Sequence, residues 1–229
     1  MGRVVVEKKP TSRLLKRPTR LGDDVYNAIY SQLMSQEIPP GGRIGVDTLV
    51  RQLGVSQTPI REALSRLEAQ GLVVKTHLIG YSAAGQMNRE KLEQLYDMRM
   101  LLEPFAAGQT AIRRDENLLK DLEDRDAEMN ALPVADRTLA YGRFAQIDGT
   151  FHDLIALGSG NLLIQETLAR LHTHVHLFRL HFHSRATTDA NQEHSRILDA
   201  IRARDANAAE CAMRTHIQES RNRFLASFE

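Results

Sequence analysis

The chain has 229 residues, of which 42% are hydrophobic and 26% are charged, and this composition is typical of a globular protein large enough for two domains. The single cysteine, Cys211, excludes an intramolecular disulfide, and no apolar run is long enough for a signal peptide or a membrane span, so we expect a cytoplasmic protein. The net charge of +1 is unevenly distributed, because residues 1–20 contain seven basic residues and one acidic residue.

Residues 1–20 therefore form a basic N-terminal arm, which has two interpretations. A run of like charge is usually a solvated tail, but beside a DNA-binding domain it can also contact phosphates without sequence preference. The sequence leaves both interpretations open.

A helix-turn-helix is predicted after a first helix in LGDDVYNAIYSQLMSQ. The segment VDTLVRQLG has the apolar spacing of a short helix, and Gly54 suits the left-handed residue that ends it. The segment GVSQTPIREALSRLEAQGL predicts the second helix, because Ile60, Leu64 and Leu67 recur at spacings of four and three. Ser56 is a favourable N-cap, and we expect its hydroxyl to accept a hydrogen bond from a backbone amide of the first turn.

Two helices joined at a glycine also occur as ordinary helical hairpins, so the segment that follows decides the interpretation. The stretches LVVKT and YSAA predict two strands joined by a turn at HLIG, which makes the unit a winged helix. Helix-turn-helix units bind DNA through the N-terminal end of the second helix. We therefore expect DNA contacts from the polar residues at that end, which are Ser56, Gln57, Thr58 and Arg61.

From Asn88 onward nearly every segment has helical periodicity and none resembles a strand, so we expect a bundle of about six helices. The predicted fold is mostly α. It consists of the basic arm at residues 1–20, a winged helix-turn-helix domain at residues 21–85 and an all-α helical domain at residues 86–229.

Polar residues occur where the apolar patterns of this bundle predict its interior. Asp148 and His152 lie one turn apart beside the apolar stripe of one helix, and His194 and His216 are in register with the stripes of two others. One carboxylate and three imidazoles from three helices therefore face inward, which is how helical bundles build metal sites. The set suits a divalent ion, whether Zn, Ni, Fe or Mn, without choosing among them.

A single histidine on an apolar face is more often a hydrogen-bonded core residue than a metal ligand, so the hypothesis depends on the coincidence of four placements. A second set of histidines lies in LHTHVHLFRLHFHS, the histidine-rich segment, outside its apolar stripe. We expect these at the pocket edge, at a subunit contact or on the surface; they are His172, His174, His176, His181 and His183.

Arg99 occupies an apolar stripe between Leu95 and Leu102, where an unpaired charge would be costly. Two anions can pair with it. One is Glu103, one turn later on the same helix, and the other is an incoming carboxylate that the guanidinium holds while a nearby metal takes a second oxygen. Both remain open, and Arg99 is the candidate effector-binding residue.

Two parts of the chain resemble a known family. LVRQLGVSQTPIREALSRLEAQGLV resembles the winged helix of GntR-family bacterial transcription regulators. LEQLYDMRMLLEPFAA, followed by Asp148, His152, the pair Glu193 and His194, and His216, resembles the FCD effector domain of their FadR subgroup.

The resemblance implies a homodimer that binds a palindromic operator in double-stranded DNA. It also implies a metal held by Asp148, His152, His194 and His216, with a small organic acid at that metal as the effector. The positions that match DNA-contacting residues of the family are Arg43, Arg51, Thr58 and Arg61. The sequence departs from the family where Gln57 replaces a common arginine and Asp47 replaces a common basic residue.

We therefore expect a ligand-responsive transcription regulator, in particular a repressor that a small carboxylate releases from its operator. The alternatives are a metal sensor, whose effector is the ion itself, and a helical metalloenzyme. A cation at Arg99 favours the acid over the ion as effector. We do not expect an enzyme, because no general base or nucleophile stands out beside the four metal ligands and an enzyme has no need of a winged helix.

Overall fold

The computed structural model is mostly helical, with one small sheet, and it describes residues 20–132, 137–171, 173 and 186–228. The expected order of a winged helix-turn-helix followed by a helical bundle is confirmed. Two expectations fall outside the described residues: the basic arm before Arg20, and the histidines His172, His174, His176, His181 and His183.

Six elements form the winged helix domain. They are α1 (Arg20–Met34), β1 (Arg43–Ile44), α2 (Val46–Leu53), α3 (Gln57–Ala69), β2 (Val73–Thr76) and β3 (Gly80–Ala83). The strands form an antiparallel sheet in the order β1-β3-β2. The predicted hairpin is confirmed as β2 and β3, whereas β1 has no sequence signal because two residues are too few to show an alternating pattern.

The helix-turn-helix consists of α2 and α3. Gly54 ends α2 in the left-handed conformation, with φ of 66°, as its position predicts. Ser56 is the N-cap residue of α3, but the expectation of a side-chain cap is wrong, because the hydroxyl makes no such hydrogen bond. This end of α3 is exposed, so water can satisfy both the hydroxyl and the first amides of the helix.

Helix α3 packs on α1 through the predicted apolar stripe. Ile60, Leu64 and Leu67 are completely buried, as are Ile29 and Leu33 of α1. Because these apolar side chains hold α3 in place, its polar face is free to contact a partner.

Six α-helices are described in the second domain. They are α4 (Arg89–Arg113), α5 (Glu116–Asn130), α6 (Arg137–Gly158), α7 (Leu162–Leu171), α8 (Ala186–Arg202) and α9 (Ala206–Leu225). Helix α4 packs along α9 and also contacts α6 and α8, so these four helices enclose the interior of the domain. None of the described helices is both long and apolar enough to cross a membrane.

Side-chain caps fix the start of three of these helices. Asn88, Asp115 and Asp205 each accept a hydrogen bond of 2.9 Å from the backbone amide three residues later, at the start of α4, α5 and α9. Such caps satisfy amides that the helix itself leaves unpaired, and each contributes about 1 kcal/mol.

Candidate metal centre and DNA-binding surface

Three histidines meet in the interior of the helical domain. His152 lies on α6, His194 on α8 and His216 on α9, and one ring nitrogen of each lies within 4.8 Å of the others. The ring centroids of His194 and His216 are 4.6 Å apart, and those of His152 and His216 are 5.1 Å apart. The fold therefore brings together the three imidazoles that the sequence places on separate helices.

The carboxylate of Asp148 lies beside this cluster. Its Oδ1 is 3.2 Å from Nε2 of His194 and 3.9 Å from Nε2 of His152. Burial alone would raise the pKa of Asp148, but the close contact with His194 and the charge of His152 outweigh burial and hold the pKa below its usual range. Asp148 is therefore anionic at neutral pH.

Neighbouring apolar side chains explain why α6 directs polar groups inward. Phe144, Ile147 and Phe151 are buried, and they fix the rotation of α6 about its axis. Asp148 and His152 flank this stripe, so the same rotation places both near α8 and α9.

The buried ring nitrogens test whether a metal ion fits these residues. All four ring nitrogens of His152 and His194 are buried and make no aligned hydrogen bond with a described residue, although the carboxylates of Asp148 and Glu103 lie close to three of them. A buried polar atom without a partner costs on the order of 1–3 kcal/mol. Because neutral imidazoles and carboxylates are ligands of divalent transition metals, an ion would supply the missing partners. The residues fit a metal.

A carboxylate on α8 holds His216. Nδ1 of His216 is 2.8 Å from Oε2 of Glu193, and the guanidinium of Arg223 donates two hydrogen bonds to Glu193, of 2.6 and 2.8 Å. Burial would raise the pKa of Glu193, but the hydrogen bonds from Arg223 and His216 lower it to about 2. Burial lowers the pKa of His216 to about 3. Glu193 is therefore an ionised acceptor, Nδ1 of neutral His216 carries the proton, and Nε2 keeps a lone pair for a metal.

His152 has a similar partner on α4. Oε2 of Glu103 is 2.7 Å from Nδ1 of His152, and Arg99 donates to Glu103 through Nε at 2.5 Å and Nη2 at 3.2 Å. Burial would raise the pKa of Glu103, but the charges of Arg99 and His152 outweigh it and hold the pKa well below its usual range. The sequence suggests two anions as partners of Arg99, and in the structure Arg99 pairs with Glu103.

A small cavity, which we call the effector cavity, lies beside His152. Its volume is about 30 Å³, which holds one or two water molecules. The residues that line it are Arg99, Glu103, Asp148, Gly149, His152, Asp153, Leu168 and Thr173. Arg99 is thus part of a buried ion pair and also part of the cavity wall.

A second cavity, of about 200 Å³, lies between α1 and α6, and we call it the interdomain cavity. Its lining residues are Tyr26, Tyr30, Gln70, Gln146, Gly149, Thr150 and Asp153. Gly149 and Asp153 line both cavities, so one turn of α6 forms the wall between them.

The six residues expected at the DNA interface are all exposed; they are Arg43, Arg51, Ser56, Gln57, Thr58 and Arg61. The amide of Gln57 donates to Oδ1 of Asp47 at 2.8 Å, and Nη2 of Arg61 donates to Oε1 of Gln57 at 3.4 Å. Asp47 and Gln57, the two departures from the family pattern, therefore contact each other.

Comparison with known proteins identifies both domains. Residues 94–219 match the FCD domain, and residues 21–80 match the bacterial regulatory proteins of the gntR family. The chain belongs to the GntR family.

Several relatives of the same type align along most of this GntR-family chain. LutR of Bacillus subtilis, an HTH-type transcriptional regulator, is 30% identical over 84% of this chain and 96% of its own length. The Nta operon transcriptional regulator of Aminobacter aminovorans is 29% identical over 84% of this chain and 89% of its own length. The solved structure of E. coli McbR/YncC shares the fold, with a TM-score of 0.68 at 19% identity over 91% of this chain and 99% of that chain.

Family membership decides between the functional classes. As a member of the GntR family with an FCD domain, the chain is a DNA-binding transcription regulator and not a metalloenzyme. Its FCD domain contains a histidine triad that could hold a metal ion.

Part of the site has no clear sequence signal. Arg223 lies in the polar run ESRNR, and only folding brings it to Glu193, 30 positions earlier. Glu103 is visible in the sequence as the partner of Arg99, but its contact with His152 joins two helices and has no periodic pattern.

Proposed function

We propose that this regulator holds a divalent metal ion with Asp148, His152, His194 and His216, and that a small carboxylate bound beside the ion releases the protein from its operator. The observation that carries the proposal is the convergence of three buried imidazoles and a carboxylate, with ring nitrogens that lack aligned hydrogen bonds. When bound, the ion supplies a Lewis acid for a carboxylate oxygen. Zn, Ni, Fe and Mn all suit these donors.

The charges around the site support an anionic effector. Five charged side chains contact the histidines or one another: the carboxylates of Asp148, Glu103 and Glu193 and the guanidiniums of Arg99 and Arg223. With neutral histidines this set carries one net negative charge, which a divalent ion converts to one net positive charge. A buried charge favours a neutralising partner, so the loaded set suits an anion such as a small carboxylate.

Arg99 is the proposed second anchor for the acid. It uses Nε and Nη2 for Glu103, which leaves Nη1 outside that ion pair. Because Arg99 lines the effector cavity together with the ligands Asp148 and His152, a carboxylate between them could coordinate the ion and accept a hydrogen bond from Nη1. The cavity is small and partly open, so a larger acid would extend toward solvent or displace the cavity walls.

Displacement of these walls supplies a route to the DNA-binding domain. Gly149 and Asp153 form part of the effector cavity and part of the interdomain cavity, which α1 borders through Tyr26 and Tyr30. Movement of this turn of α6 on ligand binding would therefore change the contact between the two domains.

The active form is proposed to be a homodimer that binds a palindromic operator. Helix α4 has an exposed apolar stripe of Met98, Leu101, Phe105 and Ile112, and Leu101 is 72% exposed. Apolar residues that recur along one helix face favour burial against a second copy, and a twofold axis between copies matches a palindrome.

A regulator that responds to the metal ion alone is the second candidate. The small volume of the effector cavity favours it, because a bare ion needs no displacement of the walls. The buried guanidinium of Arg99 at that cavity favours the acid instead.

Native mass spectrometry of the full chain, purified without chelator, tests the metal, the dimer and any retained acid together. We expect the mass of a dimer with one divalent ion per subunit. A protein that remains metal-free after incubation with Zn, Ni, Fe and Mn salts would contradict the metal proposal.

Release from DNA tests the effector. A duplex that the protein selects from random-sequence DNA serves as operator, and a panel of small monocarboxylates and dicarboxylates is added to the metal-loaded complex. We expect a small carboxylate from this panel to release the parent. Arg99→Lys keeps the charge for Glu103 but loses the planar fork, so we expect it to need about tenfold more acid. Release by metal salts alone would support the second candidate.

A further inference from the structure

Two of the proposed metal ligands have the same kind of support. Arg223 holds Glu193 with two hydrogen bonds, and Glu193 contacts Nδ1 of His216. Arg99 holds Glu103 in the same way, and Glu103 contacts Nδ1 of His152. In each arrangement an arginine contacts a carboxylate, which in turn contacts a histidine. We call the first the Glu193 relay and the second the Glu103 relay.

The two relays differ in their surroundings. All three members of the Glu103 relay line the effector cavity, whereas none of the members of the Glu193 relay is among its lining residues. The hydrogen bond from His216 to Glu193 is aligned, at 2.8 Å, while Nδ1 of His152 lies 2.7 Å from Glu103 without an aligned bond. The Glu193 relay is therefore the more completely formed of the two, and its members do not line the effector cavity.

We propose that Glu193, clamped by Arg223, is a positioning residue that sets the metal affinity of the site through His216. This inference rests on the proposed metal site and adds a residue that coordinates nothing itself. A carboxylate that accepts a hydrogen bond from Nδ1 fixes the tautomer and the orientation of the ring, and it makes Nε2 a stronger donor to an ion. The clamp matters because Arg223 fixes the carboxylate at both oxygens.

Glu193→Gln tests this role with little change in shape. An amide has one acceptor oxygen, so it cannot accept from Nη1 and Nη2 of Arg223 on both of its atoms and also accept from His216. The variant keeps His216 and every other proposed ligand. We expect its Zn²⁺ affinity to fall by about 10 to 100-fold, as for other partners of metal-bound histidines.

Glu123→Gln is the matched control. Glu123 accepts hydrogen bonds from Nε and Nη2 of Arg202 at 3.1 and 3.0 Å, so the substitution also disturbs an Arg–Glu pair that involves α8, but without a histidine. We expect parental Zn²⁺ affinity for this variant. Stability of each metal-free protein, measured in the presence of chelator, separates loss of fold from loss of positioning.

Two measurements complete the experiment. Zn²⁺ affinity of the full chain is measured by competition with a chromophoric chelator, and the visible absorption spectrum of bound Co²⁺ reports the ligand geometry. We expect Glu193→Gln to alter the Co²⁺ spectrum, which a purely structural role would leave unchanged. Arg223→Lys, which keeps the charge but not the fork, should weaken Zn²⁺ binding by a smaller factor and supplies the test if Glu193→Gln does not fold.

The outcomes distinguish the inference from the proposed function. A parent that binds no metal overturns the metal site, and the role of Glu193 with it. A parent that binds Zn²⁺, together with Glu193→Gln or Arg223→Lys of parental affinity and spectrum, leaves the metal site intact and overturns the positioning role alone.

Discussion

The candidate functional side chains are exposed in the winged helix domain and buried in the helical domain. In the winged helix domain, Arg61 is exposed on a helix whose buried face consists of apolar residues such as Leu64. In the helical domain, Arg99, His194 and His216 are themselves buried. In the winged helix domain the candidate DNA-binding residues are therefore separate from the core residues, whereas in the helical domain the candidate ligand-binding residues are themselves part of the core.

This difference has an energetic consequence. An exposed arginine costs little to remove, because water replaces its partners and the core is untouched. A buried charge or imidazole belongs to a set in which each member satisfies another, so removal of one leaves the rest unpaired. Function and stability should therefore separate in the winged helix domain and change together in the helical domain.

The largest effect is expected for Arg99→Met. The substitution leaves the carboxylate of Glu103 buried without its main counter-ion, and loss of one partner of a buried pair costs about 3–5 kcal/mol. Arg89→Met is the control, because Arg89 and Glu93 form an exposed pair at the same spacing on the same helix, and it should change stability by less than about 0.5 kcal/mol. Urea unfolding of the metal-free proteins measures both. Equal effects would mean that burial of the Arg99 pair carries no special cost.

The next effect is the response of the metal-free protein to acid. The pKa of Glu193 is about 2 in the folded chain and 4.5 in the unfolded chain, so the folded chain binds fewer protons between these pH values. The contribution of Glu193 to the free energy of unfolding, roughly 3 kcal/mol, is therefore lost as the pH falls through this window. The pKa of His216 is about 3 in the folded chain, so its contribution to stability is also lost as the pH falls from 6.5 toward 3. His152 has a raised pKa, so its contribution is present below pH 6.5 and is lost as the pH rises.

The winged helix domain should resist this acidification. Burial raises the pKa values of Tyr26 and Tyr30, so both stay neutral throughout the acid range. The described carboxylates of this domain are exposed to solvent and do not belong to a buried charged cluster. Chelator-treated protein at pH 3 to 7, followed by NMR or by hydrogen exchange of each domain, measures the difference. We expect the helical domain to lose protection first, and simultaneous loss in both domains would contradict the comparison.

Arg61→Ala should separate function from stability in the winged helix domain. If Arg61 contacts a guanine edge, its loss should weaken binding to the selected duplex by about 1–3 kcal/mol, while the free energy of unfolding stays within about 0.5 kcal/mol. Arg66→Ala is the control on the same helix, because Arg66 is turned toward α1, where it pairs with Asp23. A gel-shift titration of both variants decides whether Arg61 belongs to the interface.

The sequence predicts the fold well because apolar periodicity records which face of each helix is buried. Arg99, His194 and His216 can be found in the sequence because each interrupts such a stripe. The contact between Arg223 and Glu193 cannot, because it is made between helices by a residue in a polar run. The sequence also misses strand β1, which is too short to show an alternating pattern and forms because it pairs with β3. It misses as well that the Ser56 hydroxyl at the start of α3 makes no cap hydrogen bond, because this end of the helix is exposed to solvent.

The smallest effect is expected at Asp47, which accepts a hydrogen bond from Gln57 on the proposed DNA-binding surface. Asp47→Asn keeps an acceptor for the amide of Gln57 and removes a negative charge that repels phosphates, so we expect DNA affinity to rise by less than about 1 kcal/mol and the gain to shrink as salt increases. Asp24→Asn, an equivalent change at an exposed position on α1, should leave affinity unchanged. Asp47→Ala also removes the acceptor, so a gain that appears only in this variant would show that the bond restrains Gln57 and that the charge is unimportant. A loss of affinity in Asp47→Asn would instead place the carboxylate itself in contact with a base, since Asp can accept from the amino group of cytosine.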